Sequence, residues 1–189
     1  MQEQPGQQVA GQRDRAGHDR SQTGHQGLGS QGVVRQYGSD AGVEGLREVF
    51  DVRAWSDGEP VGIGPLQVTP LRVEHPVEAY GLRLEQRVGA RSAVLAYTGD
   101  TDACPALAPL ARGADVLLAE ASFVEGRDSA RGVHLTGRRA GEAAAQAGVG
   151  RLVLTHIPAW NDPAATLAEA RAAYPGPVEV AHPGMVHQL

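Results

Sequence analysis

Five residues carry the chemistry this chain offers: His75, Asp100, Glu120, His134 and His156. Imidazole nitrogens and carboxylate oxygens bind zinc and similar divalent metals, and an imidazole also moves protons near neutral pH. Asp100 follows Gly99, so the backbone can turn tightly there and leave the carboxylate projecting as a cap, a metal ligand or a catalytic base. Taken singly, each of the five also has a structural explanation, because turns favour such residues and a lone histidine is often just a hydrogen-bonded one. Their shared placement sets them apart. His75, Asp100, Glu120 and His156 each close an apolar run, and His134 stands in a Gly-flanked loop ahead of a helical pattern. Rigid strand ends fix a side chain while the adjoining loops accept a ligand, which is how open sheets build sites.

The elements that must position these groups alternate between strand and helix. Leu66, Val68, Leu71 and Val73 lead to His75 with a phase slip at Thr69-Pro70, which predicts a bulge or an edge strand. Tyr80 to Leu84 forms a second strand, a compact turn follows at Arg87 to Arg91, and Val94 to Tyr97 leads to Asp100. Pro105 to Arg112 reads as a short helix with Leu107 and Leu110 on one side, and Asp115 to Glu120 as a buried strand. Thr136 to Ala147 is a helix closed by Gly148, and Arg151 to His156 is a buried strand. Asp162 and Pro163 start a helix that continues over Ala164 to Tyr174, ahead of short strands at Val178 to Ala181 and Met185 to Leu189. The whole predicts an α/β fold class.

Residues 1–42 differ in kind from this. They are dominated by Gln, Gly, Arg, Asp and Ser, a composition that cannot bury enough surface to offset the entropy of ordering it, and a disordered segment is expected. His18 and His25 lie in it and are not read as ligands. The folded unit is expected over 43–189, with Leu46 to Val52 closing a short helix or entering a strand. Seventeen basic residues, all Arg, stand against twenty-two acidic ones, and a net charge of −5 gives no global field for nucleic acid or an anionic membrane. One cysteine, Cys104, excludes an internal disulfide framework and a cysteine-only metal site. No apolar run approaches a membrane span and no signal-peptide pattern opens the chain, so a cytoplasmic location is expected. No Gly-rich phosphate loop follows any strand, which disfavours a nucleotide-binding α/β domain.

Three stretches resemble the metallo-β-lactamase fold in its ribonuclease Z-like branch. Glu74-His75-Pro76 through Tyr80-Gly81-Leu82-Arg83 is similar to the family's ligand histidine and the aromatic-Gly strand after it. Tyr97-Thr98-Gly99-Asp100-Thr101 resembles the Ser/Thr-Gly-Asp-Thr motif, and Leu154-Thr155-His156-Ile157 resembles the segment of the final ligand histidine. Glu120, in Ala119-Glu120-Ala121-Ser122, matches the carboxylate of the family's His-Glu-Ala-Thr segment, with Ala119 where that segment has His, and His134 matches the downstream loop histidine. The resemblance implies the C-terminal part of an αβ/βα sandwich, incomplete, its N-terminal half missing or replaced by a disordered segment. It further implies hydrolysis of a small-molecule or phosphodiester substrate assisted by two zinc ions, with manganese or iron as alternatives. In that scheme Asp100 bridges the metals, His75 binds one and His156 the other, and His134 held by Glu120 acts as general acid or phosphate contact.

Two departures accompany the resemblance. The family's His-x-His-x-Asp-His motif is absent, so each metal keeps roughly one histidine plus the shared aspartate, fewer ligands than a tight site needs. The long arm of the transfer-RNA-processing members is absent too, because Leu84 to Ala93 leaves room only for a turn. The change of composition near residue 43 predicts an out-of-frame N-terminal segment, with a disordered tail on a degenerate paralogue as the alternative. Half a sandwich predicts an apolar sheet face that a second copy, in a homodimer, or another fragment covers. The competing reading of the chain as a whole is a catalytically dead fragment serving as a structural or interaction module.

Overall fold

The computed structural model describes residues 53–189; the segment 1–42, its His18 and His25, and the element expected at Leu46 to Val52 lie outside the described residues. Seven strands form one sheet in sequential order: β1 (Val61–Ile63), β2 (Leu66–Arg72), β3 (Tyr80–Val88), β4 (Arg91–Tyr97), β5 (Val116–Glu120), β6 (Leu152–Thr155) and β7 (Val178–Val180). Strands β1 to β4 form an antiparallel meander, and β4 to β7 run parallel. Parallel neighbours need crossover connections, and α1 (Leu107–Ala111), α2 (Gly137–Ala147) and α3 (Pro163–Ala173) supply them. Runs such as Val-Leu-Leu-Ala and Leu-Val-Leu in β5 and β6 are apolar on both faces, as parallel strands usually are.

The helices cover one face of the sheet. Val94 and Ala96 of β4, Leu117 and Ala119 of β5, and Leu152 and Leu154 of β6 pack there against Leu107, Leu110, Ala140, Ala144 and Ala170. Helix α2 starts on Thr136, whose hydroxyl accepts from Arg139 N–H, and ends on Gly148 in the left-handed region. Helix α3 starts on Asp162, whose carboxylate accepts from Ala164 N–H. The two helices pack backbone to backbone: a Cβ on Gly137 or Gly141 would lie 2.2 Å from the Thr166 carbonyl or 2.6 Å from that of Ala170.

One sequence expectation is narrowed and another corrected. Strand β2 is not bulged, since its pairing with β3 runs unbroken from Gln67 to Arg72; β1 flanks it only over Leu66–Val68, so at Thr69-Pro70 it is locally an edge. Pro70 is tolerated because its carbonyl, which accepts from Gly58 N–H, faces away from β3 and beyond the end of β1. Its ring nitrogen faces the same way, where the ladder needs no donor. Met185 to Leu189 is not a strand. Met185, His187 and Leu189, together with Ala181 and His182, line a groove of about 330 Å³ against Leu95, Val116, Leu118 and Val153, on the face away from the helices. Val116 and Val153 are buried there, while Leu95 and Leu118 stay half-buried. Among the described residues no helix is long and apolar enough to cross a membrane.

Candidate active site

The strand directions assemble the site. Strands β4, β5 and β6 are parallel, and β2 runs the same way because two antiparallel steps separate it from β4. The carboxyl ends of all four therefore lie along one edge of the sheet, and His75, Asp100, Glu120 and His156 stand at those ends. At such an edge the loops diverge and leave a crevice for ligand. Short backbone bonds draw the ends together: Asp102 N–H donates to the Glu74 carbonyl, and Glu74 N–H donates to the Thr101 hydroxyl.

His134 occupies the middle. Its ring centroid lies 5.6 Å from that of His75, 5.3 Å from that of His156 and 5.1 Å from the edge-on ring of Phe123. Its Nδ1 is 2.7 Å from Glu120 Oε1. Glu120 is fully buried and also accepts from Thr101 N–H (3.0 Å) and Ser122 N–H (2.9 Å). Two backbone donors and one imidazole on a carboxylate leave it no proton to give, so Nδ1 of His134 carries the hydrogen and Nε2 is the free nitrogen.

Asp100 and His156 meet directly, with Oδ1 2.9 Å from Nδ1, and both are about four-tenths exposed. Gly99 sits in the left-handed region at φ 62°, where an added Cβ would lie 2.6 Å from the Tyr80 carbonyl; only glycine lets the chain turn there and present Asp100. His156 itself has φ 53°, the one non-glycine with positive φ among the described residues. That conformation costs of order 1–3 kcal/mol, and it is held by the Ser122 hydroxyl donating to the His156 carbonyl at 2.7 Å. Asn161 in turn donates to the Ser122 carbonyl at 2.8 Å. Burial first, then the negative charges of Asp100 and Glu120, push the Tyr97 phenol above its ordinary value, so it keeps its proton beside the site.

The donor set fits a divalent metal. His75 Nδ1 is buried without a hydrogen-bond partner, a cost that coordination or a bound ligand relieves. Glu120, His134 and His156 also offer atoms within 4.8 Å of one another. Glu120 also orients the His134 imidazole, as a carboxylate behind a metal-binding histidine commonly does. Of the expected ligands, Asp100 is bonded to His156 and His75 lies beside His134, but the group whose atoms gather within metal reach among the described residues is Glu120, His134 and His156, without His75 or Asp100.

Sequence reasoning passed over the groups that hold this arrangement: Thr101, Asp102, Ser122, Arg131 and Arg139. Asp102 is 2% exposed, and its carboxylate meets both arginines at 2.9 Å. Burial alone would raise its pKa, but N–H donors from Gly132 and Ala103 and the charges of Arg139 and Arg131 outweigh this and hold it below its ordinary value. A second acidic residue in an Asp-Thr-Asp turn was the available signal. Its partners, about thirty residues away, were not legible.

A mixed sheet whose carboxyl edge gathers three imidazoles and two carboxylates defines an α/β protein with a polar cluster at its strand ends. The sequence profile of the β-lactamase superfamily domain matches residues 18–157, and the chain belongs to that superfamily. The protein ML1173 of Mycobacterium leprae is 48% identical over 142 residues, which are 75% of this chain and 48% of that protein. Ribonuclease Z of Myxococcus xanthus is 43% identical over 100 residues, 50% of this chain and 32% of the enzyme. The crystal structure of the metallo-β-lactamase fold protein YhfI from Bacillus subtilis superposes with a TM-score of 0.65 at 29% identity, covering 78% of this chain and 62% of that one. The chain thus spans about half the length of the mycobacterial relative.

Proposed function

We propose that this chain carries the carboxyl-edge half of a zinc-dependent hydrolase site that cleaves phosphodiester-type substrates. The observation that carries the reading is the convergence of His75, His134 and His156 with Asp100, together with the full engagement of Glu120 on His134. His75, Asp100 and His156 would hold the metal. A bound divalent ion supplies an activated water and polarises the phosphoryl oxygen. His134 would act through Nε2, which first takes a proton from the attacking water and then, as the imidazolium, hands it to the departing oxygen. Glu120 keeps that ring in one tautomer and stabilises its charged form. Tyr97 adds a phenol proton next to Asp100. The remaining ligands of a complete site come from outside the described residues, from a second copy of the chain or from a polypeptide as long as the relatives.

Zinc titration of the purified chain by calorimetry, with metal content measured after dialysis, tests this. Stoichiometric zinc that is lost in Asp100→Ala, together with hydrolysis of bis(p-nitrophenyl) phosphate, is the expected result. A chain that takes up no zinc and no manganese and cleaves nothing would instead be the structural or interaction module.

A further inference from the structure

We propose that Asp102 is a positioning residue: its buried carboxylate clamps both flanks of the loop carrying His134 onto the turn carrying Asp100. Oδ1 accepts from Ala103 N–H at 2.7 Å and Arg139 Nη1 at 2.9 Å. Oδ2 accepts from Gly132 N–H at 2.9 Å and from Arg131 Nε at 2.9 Å. Arg131 and Gly132 precede His134 by three and two residues, and Arg139 follows it by five. Arg139 also leans on the His134 carbonyl at 3.5 Å. The main chain of Asp102 completes the connection, since its N–H donates to the carbonyl of Glu74, the neighbour of His75. One residue, two positions from Asp100, therefore bonds to the segments carrying two of the three imidazoles, His75 and His134.

The expense of the arrangement points to a purpose beyond stability. The Asp102–Arg139 pair is nearly buried, and leaving one partner of such a pair behind is strongly unfavourable, so the network penalises any geometry in which the loop parts from the turn. The bond from Glu120 fixes only the tilt of the His134 ring. The backbone after the ring is tied to Phe123, whose N–H donates to the Leu135 carbonyl, and the flanks at Arg131, Gly132 and Arg139 are held from Asp102. Without the clamp, the segment keeps its tie to Phe123 after the ring but loses its hold before it, so the ring meets Glu120 less steadily.

The clamp rests on the proposed role of His134 only for its consequence in catalysis, so its test is made on the ring itself. In histidine labelled with 15N, the His134 Nδ1 proton bonded to Glu120 gives a downfield, slowly exchanging resonance, assigned by its absence in His134→Gln. Asp102→Asn is expected to exchange that proton at least about tenfold faster, or to lose the resonance. Tyr174→Phe, which removes a buried hydroxyl donating to the Val149 carbonyl near the opposite edge of the sheet, is the control for destabilisation alone and is expected to keep it. Arg131→Ala, which removes one largely exposed partner, moves the signal in the same direction by less and guards against a failure of Asp102→Asn to fold. Wild-type exchange in Asp102→Asn and Arg131→Ala would overturn the proposal. A shifted resonance in a chain that cleaves no phosphodiester upholds the clamp and removes the proposed activity. Where hydrolysis is present, kcat falls in Asp102→Asn while KM holds.

Discussion

Replacing Glu120 with glutamine keeps the shape of the side chain and removes one acceptor. The carboxylate serves Thr101 N–H and His134 Nδ1 with one oxygen and Ser122 N–H with the other, and none of it reaches solvent. The better of the two amide orientations keeps oxygen toward His134 and Thr101 and sets an NH₂ against Ser122 N–H. A buried donor left unpaired costs about 1–3 kcal/mol, and the surviving bonds fall from charge-assisted to neutral strength, roughly 1 kcal/mol apiece. The sum is about 3–5 kcal/mol, which for a chain of this size lowers Tm by roughly 10 °C. Thermal unfolding followed by circular dichroism at neutral pH measures it. His134→Gln leaves Glu120 its two backbone donors and is expected to cost only about 1–2 kcal/mol. The double variant should therefore fall well short of the sum of the two, because both changes break one bond. A Glu120→Gln protein melting within about 2 °C of the parent would show that the carboxylate does not hold these donors, and the assignment of the His134 tautomer would go with it.

Asp102 gives a pH signature. Its carboxyl is held below the ordinary value of 3.8, so its ionised form contributes stability that is fully present above that value and is lost as pH falls through the lower folded one. The stability gap between wild type and Asp102→Asn, measured by urea denaturation, should stay constant near neutral pH and close below about pH 4. Gly99→Ala combines a left-handed φ with a Cβ 2.6 Å from the Tyr80 carbonyl, and is expected to cost about 2–4 kcal/mol and to weaken zinc binding by displacing Asp100. Calorimetric titration with unchanged zinc affinity would contradict that placement. In the same titration His156→Ala should weaken zinc at least about tenfold, by loss of a ligand and of its bond to Asp100.

Much of the fold was legible because local patterning dictates it. Thr136 and Gly148 bound one helix and Asp162 with Pro163 starts another, since caps act within a few residues of where they stand. The apolar runs before Asp100, Glu120 and His156 became strands for the same reason. Pro70 marked the locally bare side of β2 but not a bulge, because its nitrogen faces away from β3, and the last five residues misled because alternation in a chain end does not supply a pairing partner.

The sequence by itself determined which residue types close each strand, and through Gly99 and Asp100 the shape of the turn between them. Only the tertiary structure decided that those ends share one edge, because strand direction and order are set by long-range pairing and the packing of helices on one face. It likewise decided that Glu120 gathers Thr101 and Ser122 N–H as well as His134, that His156 adopts a strained backbone under Ser122, and that Asp102 reaches across about thirty residues to Arg131 and Arg139. Burial explains the difference. A carboxylate withdrawn from water must be satisfied by whatever donors the fold brings, and those donors are distant in the chain.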